Sequence, residues 1–334
     1  MLDGPSRSFA RFQADDDARS HSTPTGPCTP TTETKTAMDP KRLTCHVECL
    51  VDARNTTGES PTWSARESAL YWVDIPERKI HRLHFADGAH EQWTLPAVVG
   101  CLGLREAGGL VVALRTGLHL FDVDTGALTL LCHPEADLPA NRYNDGRVGP
   151  DGSFWVGTMD ERADKQPIGR LYRLGADGRC ELKAGGVKVS NGLAFSPDAR
   201  WLYHSDSRGA AIFRYAHDPA TGALGPRELF AAVAPEHGRP DGAAVDVEGC
   251  YWSCGISAGR LNRYGPDGTL IEYVELPVTH PTMPCFGGPD LRTLYVTSLR
   301  EGLSDGALAG QPLAGGVFAL RLGVAGLPTP LYQG

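Results

Sequence analysis

Four segments of this chain set polar side chains inside otherwise apolar or glycine-rich runs. They are TGESPTW with Glu59, NRYNDGRVGPDG with Arg142, Asn144 and Asp145, VSNGLAFSPD with Asn191, and GRPDGAAVDVEG with Asp241. An isolated Asn-Gly or Asp-Gly pair reads as a turn. Here three such pairs stand at one phase of a longer repeat, each ahead of an apolar run and then SPD, PDG or VEG. A repeated turn does not explain why Glu, Asn and Asp recur at that phase. Glu59, Asn191 and Asp241 together offer two carboxylates and one amide oxygen, hard donors suited to Ca2+, Mg2+ or Mn2+. Three protein ligands leave positions for water and substrate, as in a catalytic rather than a structural site. A cation so held remains a Lewis acid that polarises a carbonyl and acidifies bound water.

Residues so far apart in sequence meet only if the fold converges on an axis. Short aromatic and β-branched runs recur, anchored on Trp72, Val112, Trp155, Tyr203, Trp252 and Tyr295 at intervals of 40, 43, 48, 49 and 43 residues. That spacing is the period of propeller blades. Asp-Gly at Asp87, Asp151, Asp177 and Asp267, and Thr-Gly at Thr125 and Thr221, predict hairpin turns where positive φ is needed. The chain has no room for six crossover helices of ~10–15 residues, which a βαβ fold would require. The expected architecture is all-β, a six-bladed β-propeller over residues 44–334. The run HVECLVD (His46 to Asp52) is left over and predicts the outer strand of the last blade, closing the ring. In that fold the segment before each anchor is the inner strand, so the four polar segments line the central channel.

Residues 1–43 differ in composition. SHSTPTGPCTPTTETKT is rich in Ser, Thr and Pro without an apolar period, so the reading is a disordered extension, with Met38 a candidate native start. Across the 334 residues, 32 Lys+Arg against 40 Asp+Glu give a charge of −8, unlike the basic footprint of a nucleic-acid binder. No apolar run nears the ~20 residues of a membrane helix, and the first residues lack the apolar core of a secretory signal. Nine cysteines without a CxxC pair read as reduced, mostly buried thiols, which with the missing signal predicts a cytoplasmic protein. Neither HExxH nor GxSxG occurs, which argues against a zincin or a serine esterase. Trp72, Trp155, Trp201 and Trp252 are expected in inter-blade packing. Asp206 is either a supporting or a capping group, and Phe286-Gly287-Gly288 is either pocket mouth or connecting loop.

The motifs GESPTW, NRYNDGRVGPDGSFWVGTMD, SNGLAFSPD, PDGAAVD and CFGGPDLRTLYVTS resemble those of the SMP-30/gluconolactonase (regucalcin-like) family in order and spacing from about Cys45 onward. The last segment is especially similar to the bacterial aldonolactonases of that family. The resemblance implies a propeller with one divalent metal that hydrolyses a sugar lactone to its aldonic acid. By motif, Glu59, Asn191 and Asp241 match the family's metal ligands, and Asp241 its proton acceptor and donor. Arg142 and Asn144 match substrate contacts. GTMDER puts Glu161 nearest to a third contact, one position earlier than in animal members, with Arg162 where those carry a second Glu. Ca2+, Zn2+, Mn2+, Mg2+ and Fe2+ all remain open as the metal. The expected partner is a small sugar lactone, with no nucleic acid or membrane, in a monomer or weak homo-oligomer. Two other readings keep the fold: hydrolysis of an aryl ester or phosphotriester, which would predict an apolar wall, and a non-catalytic calcium-binding propeller, which needs no polar axial pocket.

Overall fold

A computed structural model describes residues 39–334. Six antiparallel sheets form six blades, each running outward from an inner strand. The inner strands are Gly58–Ser64, Val99–Leu104, Asn141–Val148, Ser190–Phe195, Arg239–Val245 and Pro281–Gly287, blades I to VI in chain order. All six anchors lie in second strands, whose residues are almost wholly buried. A second strand is covered on both faces by the neighbouring blades, so it reads as a continuous aromatic and β-branched run. That is why the repeat is visible in the sequence.

The core is divided among the seams between blades. Tyr71, Val73 and Ile80 of blade I pack against Leu102 and Val112 of blade II in one cluster. Trp155 and Leu171 of blade III meet Leu193 and Leu202 of blade IV in another. Trp252 and Leu261 of blade V face Phe318 and Leu294 of blade VI in a third. Trp72, Trp155 and Trp252 are buried in such seams as expected. Trp201 packs against the seam of blades IV and V as expected but is only half-buried, with the Arg214 guanidinium 4.2 Å from its ring centroid.

The ring closes as the leftover run predicts. Val47–Val51 pairs antiparallel with Val317–Arg321 as the outermost strand of blade VI, so the first and last parts of the propeller share one sheet. Residues 1–38, including Met38 and most of the expected extension, lie outside the described residues. Lys41–Arg42, near the end of that extension, pairs in parallel with Leu270–Glu275 at the edge of blade V. The six expected hairpin glycines, Gly88, Gly126, Gly152, Gly178, Gly222 and Gly268, all have positive φ. Among the described residues the one α-helix, Asp305–Gly310, has six residues, and no helix is long and apolar enough to cross a membrane.

Asp206 resolves as a capping group. Its carboxylate accepts from the backbone N–H of Lys188 (3.0 Å) and Val189 (3.1 Å), gripping the loop that leads into the inner strand of blade IV. Asp74 does the same in blade I, accepting from Thr56 and Thr57 at 2.9 and 3.0 Å. Phe318 is fully buried in the closing seam. Phe318→Ala should therefore cost about 3–5 kcal/mol, whereas Leu182→Ala, at a side chain 57% exposed, should stay within about 0.5 kcal/mol; denaturant unfolding of the two variants measures both.

Candidate active site

Every inner strand carries a register shift against its second strand at the same place. The shifts fall at Glu59/Thr62, Val99/Cys101, Tyr143/Gly146, Asn191/Ala194, Pro240/Ala243 and Pro281/Pro284. A bulge inserts a residue, interrupts pairing and re-aims a side chain. The pairs Asp145-Gly146, Asn191-Gly192 and Asp241-Gly242 lie in these bulges and not in hairpin turns. Gly192 has φ +63°, and a Cβ there would stand 2.2 Å from the Tyr251 hydroxyl oxygen, so only glycine follows Asn191 without displacing its neighbour. In blade I the left-handed position is taken by Ser60, φ 53°, a strained conformation for a residue with a side chain. Its hydroxyl is held by the Leu102 N–H at 3.0 Å, which ties the bulge to blade II.

These bulges bring the predicted residues of blades III, IV and V into one hydrogen-bonded chain. Arg142 Nη1 donates to Asn144 Oδ1 at 2.6 Å, Asn144 Nδ2 to Asn191 Oδ1 at 3.1 Å, and Asn191 Nδ2 to Asp241 Oδ1 at 2.5 Å. Asn144 Nδ2 also donates to the Ser190 carbonyl at 2.9 Å, and Asn191 Nδ2 to Ser207 Oγ at 2.8 Å. The carboxamide of Asn144 is thus engaged at both ends, spacing Arg142 from Asn191. Glu59 enters from blade I, its carboxylate accepting from the Ser60 N–H at 3.1 Å. Glu59, Asn144, Asp145, Asn191 and Asp241 are each at most 8% exposed. Blades II and VI contribute no such group. Blade II has Gly100, where a Cβ would lie 2.4 Å from the Tyr143 carbonyl oxygen. Blade VI has Thr282, whose hydroxyl is spent on the Gly58 carbonyl (2.6 Å).

Asp145 is a third buried carboxylate, one the sequence places in the run without assigning it a role. Its Oδ2 accepts from the Leu193 N–H at 2.8 Å, and its Oδ1 has no hydrogen-bond partner in the structure. Burial, and then the charges of Asp241 and Asp145, push the Glu59 carboxyl well above its ordinary range. Burial, and then Asp145, push Asp241 up to about 8. Arg142 is a half-buried cation beside them, its guanidinium pulled down to about 10 chiefly by desolvation. Arg142, Arg147 and Arg239 act on these carboxylates through space, but among the described residues none of them forms an ion pair or hydrogen bond with one, so three buried carboxylates lack a contacting cation. The unpaired Asp145 oxygen and the all-oxygen donor set of Glu59, Asn191 and Asp241 fit a hard divalent cation.

Glu161 lies at the mouth rather than in the core. Its side chain is 31% exposed, its Oε1 is 3.5 Å from Arg142 Nε, and its other oxygen contacts Arg115. Arg115, from the turn between the second and third strands of blade II, carries no signal in the sequence. Ser207 is likewise invisible there. Its hydroxyl donates to the Pro240 carbonyl at 2.6 Å while accepting from Asn191, which fixes the amide. Ser190 Oγ lies 2.7 Å from His204 Nε2, but both are fully buried and neither reaches the channel mouth.

A second acidic group, Asp246, Glu248 and Cys250, gathers within 4.8 Å at the far end of blade V. Asp246 Oδ2 there accepts from Arg263 Nε and Nη2 at 3.0 and 2.7 Å and from Trp252 Nε1 at 2.9 Å, and its Oδ1 accepts from two backbone N–H groups. Arg263 also binds Glu248 at 2.7 Å. An arginine already serves as the cation of that cluster, so it reads as a structural ion-pair network. All described cysteines are free thiols.

Comparison with known proteins follows the same outline. Residues 57–300 match the SMP-30/Gluconolactonase/LRE-like region. A 6-deoxy-6-sulfogluconolactonase of Pseudomonas putida is 46% identical over 289 residues, covering 86% of this chain and 99% of that protein. An L-arabinolactonase of Azospirillum brasilense is 39% identical over 289 residues, 85% of this chain and 95% of the relative. The crystal structure of a calcium-binding protein, regucalcin, from Agrobacterium tumefaciens superposes with a TM-score of 0.83 at 35% identity, over 86% of this chain and 97% of that one. In sequence and in blade architecture, this chain belongs to the SMP-30/gluconolactonase family.

Proposed function

We propose that the chain hydrolyses the ring ester of a sugar lactone to the aldonic acid, with a divalent cation held by Glu59, Asn191 and Asp241. The observation that carries this reading is the convergence of those three residues, from three blades, on one buried and carboxylate-rich point beside Arg142. Lactonases among the relatives, which are carboxylic ester hydrolases, support the reaction class. A cation bound there supplies Lewis-acid polarisation of the ester carbonyl.

The chain's own groups supply the rest. In this reading Asp241 takes a proton from the attacking water, and the bond from Asn191 Nδ2 to its Oδ1 supports that role by fixing the carboxylate. The water adds to the lactone carbonyl carbon, the ring C–O bond breaks, and the released ring oxygen takes up a proton. Arg142 and Glu161 face the mouth and orient sugar hydroxyls. Asn144 acts mainly by keeping Arg142 and Asn191 in register, since both ends of its amide are engaged inside the protein. The polar lining at the mouth favours a hydroxyl-rich ester over an aryl ester, whose recognition would call for an apolar wall. The same Arg142 and Glu161, beside the cation ligands, favour a small-molecule site over cation storage.

Acid release measured in a pH-stat on C5 and C6 aldonolactones tests the reading, and no hydrolysis of any of them would overturn it. Asp241→Asn should lower kcat by about two to four decades, equivalent to roughly 3–5 kcal/mol of barrier, with an unchanged circular-dichroism spectrum. Turnover should vanish after thorough chelation and return on adding back a divalent cation, which should also raise the unfolding midpoint through selective binding to the folded state. Loss of an outer-shell partner costs about 10–100-fold in metal affinity, so Glu59→Gln should weaken cation binding at least that much in calorimetric titration. Arg142→Ala should raise KM for the lactone more than it lowers kcat, as steady-state kinetics would reveal.

A further inference from the structure

The inner strands that begin near Glu59, Asn191 and Asp241 end on the other face of the ring, where residues 325–333 cross beneath them. Val247 N–H donates to the Ala325 carbonyl (3.0 Å), Gly326 N–H to Leu291 (2.8 Å), Tyr332 N–H to Leu104 (2.8 Å) and Gln333 N–H to Gly152 (3.0 Å). The segment is thus tied to blades V, VI, II and III. Between it and the strand ends lies a cavity of about 240 Å³. Val148, Phe195 and Val245, each the last residue of its inner strand, form its walls with Phe286, Leu327 and Thr329. Phe286, whose place the sequence left open, is therefore a cavity wall at the end of the channel away from the cation ligands. Among the described residues lining this cavity, Arg147 is the one that carries a charge. It is half-buried, with Nε donating to the Leu193 carbonyl at 2.9 Å and Nη2 to the Ala243 carbonyl at 2.6 Å.

Both of those acceptors are neutral, and none of the described residues accepts from Arg147 Nη1 or places a carboxylate against the guanidinium. The carboxylates that follow lining residues in the chain are engaged elsewhere. Asp151 pairs with Arg173 at 2.7 Å, Asp246 with Arg263 at 2.7 Å, and Asp198 accepts from Ser196 Oγ at 2.6 Å. Asp145, on the same strand, feels Arg147 through space, but its Oδ2 accepts from the Leu193 N–H at 2.8 Å. A planar guanidinium with N–H groups to spare, set in an apolar wall, suits a carboxylate held by two parallel hydrogen bonds. An apolar cavity of about 150 Å³ holds benzene, so this one has room for a six-membered ring and its carboxylate. We propose that the cavity is a second binding site, separate from the catalytic one, for a small monocarboxylate with a compact apolar body. The carboxylate sits on Arg147 and the ring lies among Phe195, Phe286 and Leu327. A sugar acid does not fit this description, because its hydroxyls would be buried against those three side chains without partners.

Calorimetric titration of the full chain with benzoate tests the site, with benzamide as the neutral molecule of the same shape. Benzoate should bind with a dissociation constant below about 1 mM, and benzamide at least about fivefold more weakly. Absence of benzoate binding up to about 10 mM overturns the inference, as does benzamide binding equally well. A crystal soaked in 4-bromobenzoate locates the ligand through the anomalous signal of bromine. A peak between Phe286 and Leu327 is expected, whereas a peak confined to the neighbourhood of Asp241 assigns the binding to the catalytic site and overturns the proposal. Arg147→Met should weaken benzoate about tenfold or more by removing the charged partner. Thr329→Glu, which sets a like charge on the wall and leaves Arg147 in place, should weaken it as much. Should Arg147→Met fail to fold, a folded Thr329→Glu protein with unchanged benzoate affinity still overturns the inference. Lactone turnover enters none of these readouts, so the site stands or falls apart from the proposed reaction.

Discussion

The run of hydrogen bonds from Arg142 through Asn144 and Asn191 to Asp241 is the constraint on which the site depends. It links three blades, and from Asn144 to Asp241 it is buried. Each donor and acceptor in it has one productive orientation. An amide whose oxygen accepts from Asn144 must present its nitrogen to Asp241 and Ser207. In a low-dielectric interior a partly satisfied network of this kind is costly. The geometry of the channel floor is therefore set by polar satisfaction, and the apolar seams set only how closely the blades approach.

That floor nevertheless retains a frustration the protein does not relieve by itself. Glu59, Asp145 and Asp241 are pressed together without a contacting arginine among the described residues, and one oxygen of Asp145 is left without a partner. The blade V cluster of Asp246, Glu248 and Glu272 is the instructive contrast. There Arg263 reaches all three carboxylates at 2.7 to 2.9 Å. The two acidic clusters thus differ in kind because one has an arginine in direct contact with its carboxylates and the other, among the described residues, has none.

The propeller suits this division of labour. Inner strands crowd at the axis, where Gly100 lies against the Tyr143 carbonyl, and their bulges turn single side chains inward. Second strands carry the hydrophobic load, buried on both faces. Carboxylates such as Asp74 and Asp206 hold the loops that enter the inner strands, so the polar residues at the axis start from a fixed backbone. Closure by Val47–Val51 joins the first strand to the last blade and leaves the ring without an open seam.

Much of this was legible in the order of residues alone. The blade period, the hairpin glycines and the closing strand each follow from local chemistry: burial on both faces selects aromatic and β-branched residues, and positive φ selects glycine. The shared phase of Glu59, Asn191 and Asp241 was legible for the same reason, since each precedes its own anchor strand. Asp145, Ser207 and Arg115 were not, because their importance comes from neighbours on other blades and leaves no periodic trace. Nor could the chain order show that Asn144 is engaged at both ends, that the Arg214 guanidinium lies over Trp201, or that Asp246 is already paired with Arg263. Local propensity and period determined which elements form and in what sequence. Only the closed ring decided which polar atoms face one another, because that depends on distances between strands that share no local signal.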